Sequence, residues 1–461
     1  MAKTREQPGS QWERYQSDDH SPWNLRRVVH LHRRAGFAAT WTELARDLKD
    51  GPEAAVDRLL DGKACDSPVG DFDAIARLLG DAAVASDNPP RLKAWWLYRM
   101  LFSPDPLAER LALTWHNRFA TSNRKVNSVA LMRQQNDLFR QQGRGRFGEL
   151  LIAVVKHPAM LVWLDADSNR KEHPNENLAR ELMELFTLGV GNYTETDVKD
   201  AARALTGWTG RSGEFREVPE YHDLFPKTIL GKTGDFHGDD LLRILLEHPA
   251  TSRRLARRIC ELLMGEGIAG DEAVDQLAAG LREHDLEVGW AIETVLRSNA
   301  FFSEANIGSR VQGPMEFMVG AARALELFDP PPSTLLLAEW GATLGQDLFH
   351  PPTVFGWEGG RGWINTRSVI ARTNFAGALA RGSLSNPPHP PDLLALAQRH
   401  GAASDPDGLL GFFAKLLFGL EDASELSQTV GTALAGADEV TADSAGRLVA
   451  ALLGSPRAQL G

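Results

Sequence analysis

Apolar side chains recur at helical spacing along almost the whole chain, and this periodicity decides the class of fold. From Trp23 onward, segments such as WNLRRVVHLHRRAGF place apolar residues three and four positions apart and end at a glycine. The next segment begins with Thr40 and Glu43, the spacing of a capping box. Strands and helices do not alternate, which argues against a doubly wound sheet. The sequence therefore predicts an all-α fold, a multi-helix globular body.

Two stretches of the chain lack this helical periodicity. The first, residues 209–238, contains several glycines and prolines, and the second, residues 345–366, includes FGWEGGRGWINT. We predict a long irregular loop in each place, with a short β-hairpin as an alternative for the first. Loops of this length inside a compact domain usually have a function.

Composition divides the chain into four parts. Residues 1–22 are polar and aperiodic, so we predict a disordered arm, followed by the main helical domain over residues 23–382. The segment SLSNPPHPPD, residues 383–392, is a proline-rich joint. The Ala- and Leu-rich residues 393–461 predict a small helical C-terminal unit.

Charge and apolar content exclude several classes of partner. The formal net charge is −11, which argues against a nucleic-acid partner because such a protein needs a dense basic surface. No apolar run approaches the roughly 20 residues that cross a bilayer, so we expect no membrane partner. The first 25 residues contain no apolar run either, so we expect a soluble, cytoplasmic protein. Local arginine clusters such as RRLARR are compatible with binding of a small anionic ligand.

The most polar helical face lies in PNENLARELMELF, which we predict as a helix over residues 175–188. Glu176, Arg180 and Glu184 are spaced one turn apart, with Glu181 beside them and leucines on the opposite face. Thr194 and Asp197 would cap the helix that follows. The acidic face has two interpretations: a solvated surface with weak ion pairs, or one wall of a polar site.

Histidines elsewhere in the chain would complete such a site. His116 ends an amphipathic helix, where it is either a packed side chain or a site residue. His222 and Asp223 form a pair in the first loop of a kind that often binds metal or transfers protons. For His237, which stands among aspartates, a helix N-cap formed by Gly238 or Asp239 is favoured over a calcium-binding loop.

Several long motifs are similar to those of a known family. In chain order they include HLHRRAGF, LTWHNRF, HPAMLVWLDADSNRKEHPNENLARELMELF, HDLFPKTILGKTGDFHGDD and LGQDLFHPPTVFGWEGGRGWINT. Together they cover roughly residues 28–380 and closely resemble the uncharacterised bacterial family DUF1800. The resemblance implies a predominantly helical fold without an established activity. It also implies, as a partner, a sulfatase-like protein encoded nearby.

This chain departs from the family pattern in two respects. Many members carry export signals, whereas the start of this sequence has the polar composition described above. Many members also have WHNHF where this chain has WHNRF, so Arg118 stands in place of a second histidine.

These observations support two main hypotheses, and the sequence does not decide whether the protein is an enzyme. In the first, helix 175–188 and the two loops enclose a polar cleft in which a divalent metal assists hydrolysis of an anionic or sugar-like substrate. Its catalytic residues would be Glu176, Arg180, Glu181, Glu184, His222 and Asp223. Its metal ligands would be Glu181, Glu184, His116 and His222.

The second hypothesis is a non-catalytic helical binding or assembly protein. Its Glu/Arg cluster would be a structural salt-bridge network that fixes how the helices pack. A third hypothesis, a carbohydrate-binding protein, rests on Trp357 and Trp363 in the second loop, where aromatic rings would stack on sugars.

Overall fold

A computed structural model describes residues 11–65, 68–211, 213–403, 405–427, 430 and 440–461. These residues are predominantly helical, which confirms the predicted all-α class. The α-helices in chain order are α1 Leu25–Ala35, α2 Trp41–Asp50, α3 Pro52–Leu60, α4 Phe72–Ala85, α5 Pro89–Phe102, α6 Pro106–Arg118, α7 Asn123–Val126, α8 Val129–Gln142, α9 Phe147–Val155, α10 Pro158–Trp163, α11 Asn177–Glu181, α12 Glu195–Ala204, α13 Gly238–Glu247, α14 Pro249–Leu263, α15 Asp271–Glu283, α16 Val288–Leu296, α17 Pro314–Ala324, α18 Thr334–Thr343, α19 Thr366–Ala380, α20 Leu393–Arg399, α21 Pro406–Phe418 and α22 Ala442–Gly454. No helix in this part of the chain combines the length and the apolar character that a bilayer crossing requires.

Local capping chemistry explains where individual helices begin. The predicted capping box of α2 is present: Glu43 N donates to Thr40 Oγ1, and Thr40 N donates to Glu43 Oε2. The same reciprocal bonds join Thr194 and Asp197 at the start of α12. Each box satisfies backbone N–H groups that have no partner within the first helical turn.

The motif HLHRRAGF lies in and after α1, and its histidine side chains point inward. His32 Nε2 lies 2.7 Å from a carboxylate oxygen of Asp47, and both side chains are buried. Asp47 also accepts hydrogen bonds from Arg46 and from Arg58, so one carboxylate joins α1, α2 and α3. Burial alone would raise the pKa of Asp47, but its donors, His32 first, outweigh burial and lower the pKa to about 2.

The first irregular stretch contains the predicted hairpin and a second one. Strand β1, Trp208–Thr209, pairs antiparallel with β2, Arg216–Glu217. Strand β3, Lys227–Ile229, pairs antiparallel with β4, Lys232–Gly234.

The second irregular stretch is held against the end of α6. The backbone N–H of Trp357 donates to Asn117 Oδ1 at 2.7 Å. Gly356 has a φ of +81°, and a Cβ at this position would overlap Asn117. The loop 345–366 is therefore fixed to the WHNRF motif by one hydrogen bond and one close backbone approach.

Both ends of the described chain pack on the helical body. Tyr15 is buried, its N–H donates to Arg297 O at 2.7 Å, and Asn299 N donates to Glu13 O at 2.8 Å. This corrects the prediction of a disordered arm for residues 11–22, whereas residues 1–10 lie outside the described residues. The predicted C-terminal unit is helical: α21 packs on α1, α22 packs on α19, and Leu460 pairs with Val311.

The segment predicted as one α-helix over residues 175–188 consists of two kinds of helix. After α11 the chain continues as a π-helix over Leu182–Thr187. The wider turn is visible in the bond from Leu188 N to Met183 O, which spans five residues instead of four. The one-turn stacking expected for Glu176, Arg180 and Glu184 in an α-helix therefore does not continue through the second half of the segment.

Candidate functional site

The polar residues of the 175–188 segment interact mainly with α12 and the turn before it. Both Arg180 Nη atoms donate to Glu195, at 2.7 and 2.8 Å, in a pair whose side chains are 38% and 68% exposed. Such exposed pairs contribute at most about 1 kcal/mol. Glu184 accepts a hydrogen bond from the Tyr193 hydroxyl at 2.8 Å. Arg180 is therefore occupied at the surface rather than free to steer a substrate.

Two other glutamates of this segment have no ion pair among the described residues. Glu176 precedes α11 and is half-buried. Glu181 is also half-buried, and this burial raises its pKa to about 6, with the negative charge of Glu184 adding to the effect and Arg180 opposing it.

His116 is packed in the core among aromatic rings. Its ring centroid lies 5.4 Å from that of Trp96, 5.4 Å from Phe349 and 5.5 Å from Trp357. Burial lowers the pKa of His116 to about 3, and the charge of His350 adds to the effect. The ring is therefore neutral at physiological pH.

Asp223 fixes the first loop to α12. Its carboxylate accepts hydrogen bonds from Arg203 Nε at 2.7 Å and from Phe225 N at 2.8 Å. Burial alone would raise the pKa of Asp223, but the hydrogen bonds from Arg203 and Phe225 N, together with the charges of Arg203 and Lys227, outweigh burial and lower the pKa. The carboxylate of Asp223 is therefore occupied by hydrogen bonds within the protein.

The four predicted metal ligands are not brought together. Within the described ranges, the potential ligand atoms that lie within 4.8 Å of one another belong to Glu217, His222 and His237. Of the predicted set Glu181, Glu184, His116 and His222, this group contains His222 alone. His237 itself precedes α13 as its N-cap, so the predicted caps Gly238 and Asp239 are wrong.

A cleft of about 540 Å³ opens between α6, α14 and the second loop. Its polar lining residues are Arg110, Thr114, Asn117, Arg118, Arg258, Glu261, Glu266, Ser309, Arg310, Glu316, Gln346 and Arg361. Its aromatic lining residues are Trp115, Phe355, Trp357 and Trp363. The second loop is a wall of this cleft, whereas the first loop contributes none of the described lining residues. From the 175–188 segment, the lining includes Leu185 but not the predicted carboxylates.

The charged side chains of the cleft have a positive balance. Five arginines and three glutamates line it, in a chain whose net charge is −11. Glu316 is bound by Arg110 and, at 2.5 and 2.9 Å, by Arg310. Burial alone would raise the pKa of Glu316, but these arginines outweigh it and lower the pKa far below its usual range. The buried Nη2 atom of Arg110 still has no hydrogen-bond partner among the described residues.

Arg118 is the residue of this cleft that sequence reasoning missed as a functional group. It follows Asn117 in WHNRF, is half-buried in the cleft wall, and forms no hydrogen bond or ion pair with any described residue. Burial lowers the pKa of its guanidinium well below the usual value. The positive charges of Arg258 and Arg254 lower it further, and the negative charge of Glu261 opposes them only in part. The available signal in the sequence was the arginine itself, at a position where many members of the similar family have a histidine.

A family model described as "Protein of unknown function (DUF1800)" matches residues 30–460 of the 461-residue chain. No curated protein and no solved structure matches the chain.

Proposed function

We propose that this chain, which belongs to the DUF1800 family, binds a small anionic ligand in the cleft between α6, α14 and the second loop. Arg118 is the observation that carries the proposal, because it is a half-buried cation without a partner among the described residues. Removing a charge from water without pairing it costs several kcal/mol. A bound anion would supply the missing partner.

The remaining lining indicates the chemical class of the ligand. Arginine binds phosphate, sulfate and carboxylate groups through paired N–H donors, and the arginines outnumber the glutamates here. Phe355, which is 67% exposed, and the half-buried Trp363 add aromatic surface, on which a ring of the ligand would pack. The volume is within the range of small-molecule sites. We therefore expect a phosphate-, sulfate- or carboxylate-bearing compound that also contains a ring, either aromatic or sugar-like.

The proposal concerns binding, and metal-assisted hydrolysis stays a prediction. The carboxylates expected to act as acid or base lie outside the cleft lining, as described above. The alternative hypothesis, a structural ion network, is supported by residues other than the Glu/Arg cluster for which it was predicted. Buried carboxylates at Asp47, Glu109 and Glu316 each bind at least two basic side chains, whereas the Arg180–Glu195 pair is exposed.

Calorimetric titration with matched ligands tests the proposal. Phenyl phosphate and glucose 6-phosphate would be compared with phenol and glucose, which lack the anionic group. We expect the wild-type chain to bind a phosphorylated compound and not its neutral counterpart. Arg118→Gln should weaken binding about tenfold or more, as expected for one charge-assisted hydrogen-bonded contact.

The thermal stability of the same variant supplies a second readout. Without ligand, Arg118→Gln should raise the melting temperature, because it removes an unpaired half-buried charge. The matched control is Arg243→Gln, whose side chain is 65% exposed and pairs with Asp240 of its own helix. The control should bind like the wild type. Equal binding by the wild type and Arg118→Gln, or a destabilised Arg118→Gln without ligand, would contradict the proposal.

A further inference from the structure

We propose that Glu217, His222 and His237 form a binding site for one divalent metal ion of the zinc type. None of the three residues lines the anion-binding cleft, so this site is independent of the proposed function. Imidazole and carboxylate groups are usual zinc ligands, and three protein ligands leave a fourth position for water.

The three residues come from separate pieces of the chain. Glu217 ends β2, His222 follows a short 3₁₀ helix, and His237 directly precedes α13. Their potential ligand atoms lie within 4.8 Å of one another, and His237 Nδ1 lies 3.0 Å from Glu217 Oε1. The fold of the first loop therefore brings together a set of ligands that sequence spacing alone does not indicate.

His222 keeps one ring nitrogen available for a metal ion. It is 3% exposed, and its Nδ1 lies 3.0 Å from the backbone oxygen of Thr206. A carbonyl oxygen only accepts hydrogen bonds, so Nδ1 carries the proton of the neutral ring and Nε2 keeps the lone pair. This Nε2 is buried and has no hydrogen-bond partner among the described residues. A carbonyl that holds Nδ1–H is a common outer partner of a metal-bound imidazole.

Metal binding requires a rearrangement that the exposed residues permit. The rings of His222 and His237 are stacked, with centroids 4.0 Å apart, so their lone pairs do not point at a common position. In a tetrahedral zinc site the ligand atoms lie about 3.3 Å apart. The side chains of His237 and Glu217 are 49% and 36% exposed, so they can move toward the fixed His222. Metal binding would therefore bring Glu217 and His237 toward a metal ion held by His222, and it would separate the two imidazole rings.

Zinc titration of the full chain tests the inference. Protein freed of metal with EDTA would be titrated with Zn²⁺ by calorimetry, and its melting temperature measured with and without Zn²⁺. We expect one Zn²⁺ per chain and a higher melting temperature when it is bound, because the metal binds the folded state. His237→Ala and Glu217→Gln should each weaken binding about tenfold or more.

The choice of variants separates ligand loss from unfolding. Because His222 is buried, its replacement could disrupt the loop, so the exposed His237 and Glu217 carry the test. Glu214→Gln, in the same loop and with a 78% exposed side chain, is the carboxylate control. His284→Ala, an exposed histidine stacked on Trp290, is the imidazole control. Both controls should bind Zn²⁺ like the wild type.

The inference is overturned if the wild-type chain takes up no stoichiometric Zn²⁺. It is also overturned if His237→Ala and Glu217→Gln bind Zn²⁺ as tightly as the two controls do. Neither result would affect the anion-binding proposal, which depends on Arg118.

Discussion

Replacing Asp47 with asparagine measures how strongly the buried ion cluster behind the HLHRRAGF motif stabilises the fold. The carboxylate of Asp47 accepts hydrogen bonds from His32 in α1, from Arg46 in its own helix and from Arg58 in α3. Asparagine has nearly the same shape but carries no negative charge. It would also place an NH₂ group opposite donors that it cannot satisfy.

The pKa of Asp47 supplies the magnitude. Burial opposes ionisation, but the donors lower the pKa from 3.8 to about 2. Each unit corresponds to about 1.4 kcal/mol, so the ionised carboxylate contributes about 2 kcal/mol at neutral pH. The mispaired amide adds about 1–2 kcal/mol. We therefore expect Asp47→Asn to lower the free energy of unfolding by about 3–4 kcal/mol.

Scanning calorimetry would detect this loss. With an unfolding entropy of about 2.1 cal/mol/K per residue, a chain of 461 residues loses about 1 °C of melting temperature for each kcal/mol. Asp47→Asn should therefore melt about 3–4 °C below the wild type at neutral pH. Asp61→Asn is the control, because the Asp61 side chain is 64% exposed and lies 3.8 Å from its nearest cation, Lys63. It should melt within about 0.5 °C of the wild type.

The pH dependence of the difference in melting temperature between Asp47→Asn and the wild type is the most direct test. The folded-state pKa of Asp47 lies below the unfolded value, so its contribution is complete above the unfolded pKa of 3.8 and is lost as the pH falls toward about 2. The difference in melting temperature should be equal at about pH 7 and pH 5, and smaller by about 2 °C near pH 2. A difference below about 1 °C at neutral pH, or one that does not shrink in acid, would refute the reasoning.

Three further predictions concern the residues around the candidate sites. Because the pKa of Glu181 is raised from 4.5 to about 6, the fold loses stability as the pH rises from about 4.5 to about 6, and the loss is complete above that range. Glu181→Gln should therefore raise the melting temperature by about 1 °C above pH 7, after allowance for solvent screening, and leave it unchanged below about pH 4.5. Gly356→Ala should lower both the melting temperature and the affinity for an anion in calorimetric titration, because a Cβ overlaps Asn117, whereas Gly359→Ala has room for a Cβ and should leave the melting temperature unchanged. With a pKa of about 3, the His116 ring should show no change in its NMR chemical shifts above about pH 5, and a midpoint near neutrality would contradict its burial.

Features of this fold that depend on neighbouring residues could be predicted from the sequence. The capping boxes of Thr40 with Glu43 and of Thr194 with Asp197 need only a three-residue spacing. The irregular composition of residues 209–238 likewise predicted a hairpin, and two are present. The second loop lines a cleft, but the other two walls expected for it, the first loop and the carboxylates of the 175–188 segment, are not among its described lining residues.

Features that depend on distant partners could not be predicted in this way. Asp223 is engaged by Arg203, which lies twenty residues earlier in the chain. The proposed role of Arg118 in binding an anion depends on its lack of an ion-pair partner among the described residues. The spacing of residues in the sequence does not show whether an arginine has such a partner in the fold. Placing Glu181 and Glu184 in the cleft assumed a regular α-helix and a particular packing direction. Neither assumption holds, because the helix widens after Glu181 and presents Leu185 to the cleft.

The π-helix at Leu182–Thr187 has a consequence for insertions and deletions in this part of the chain. A single π-turn holds one residue more than an α-helical turn, so removing one residue here would allow regular α-helical bonding. The residues on either side would keep their directions, because a π-turn takes up one residue locally without rotating the helix that flanks it. Leu185 lies inside this turn, lines the cleft and accepts a hydrogen bond from Arg254 Nε at 3.2 Å through its backbone oxygen. A one-residue deletion here should therefore preserve α11 and alter the contacts that Leu185 makes with α14 and with the cleft.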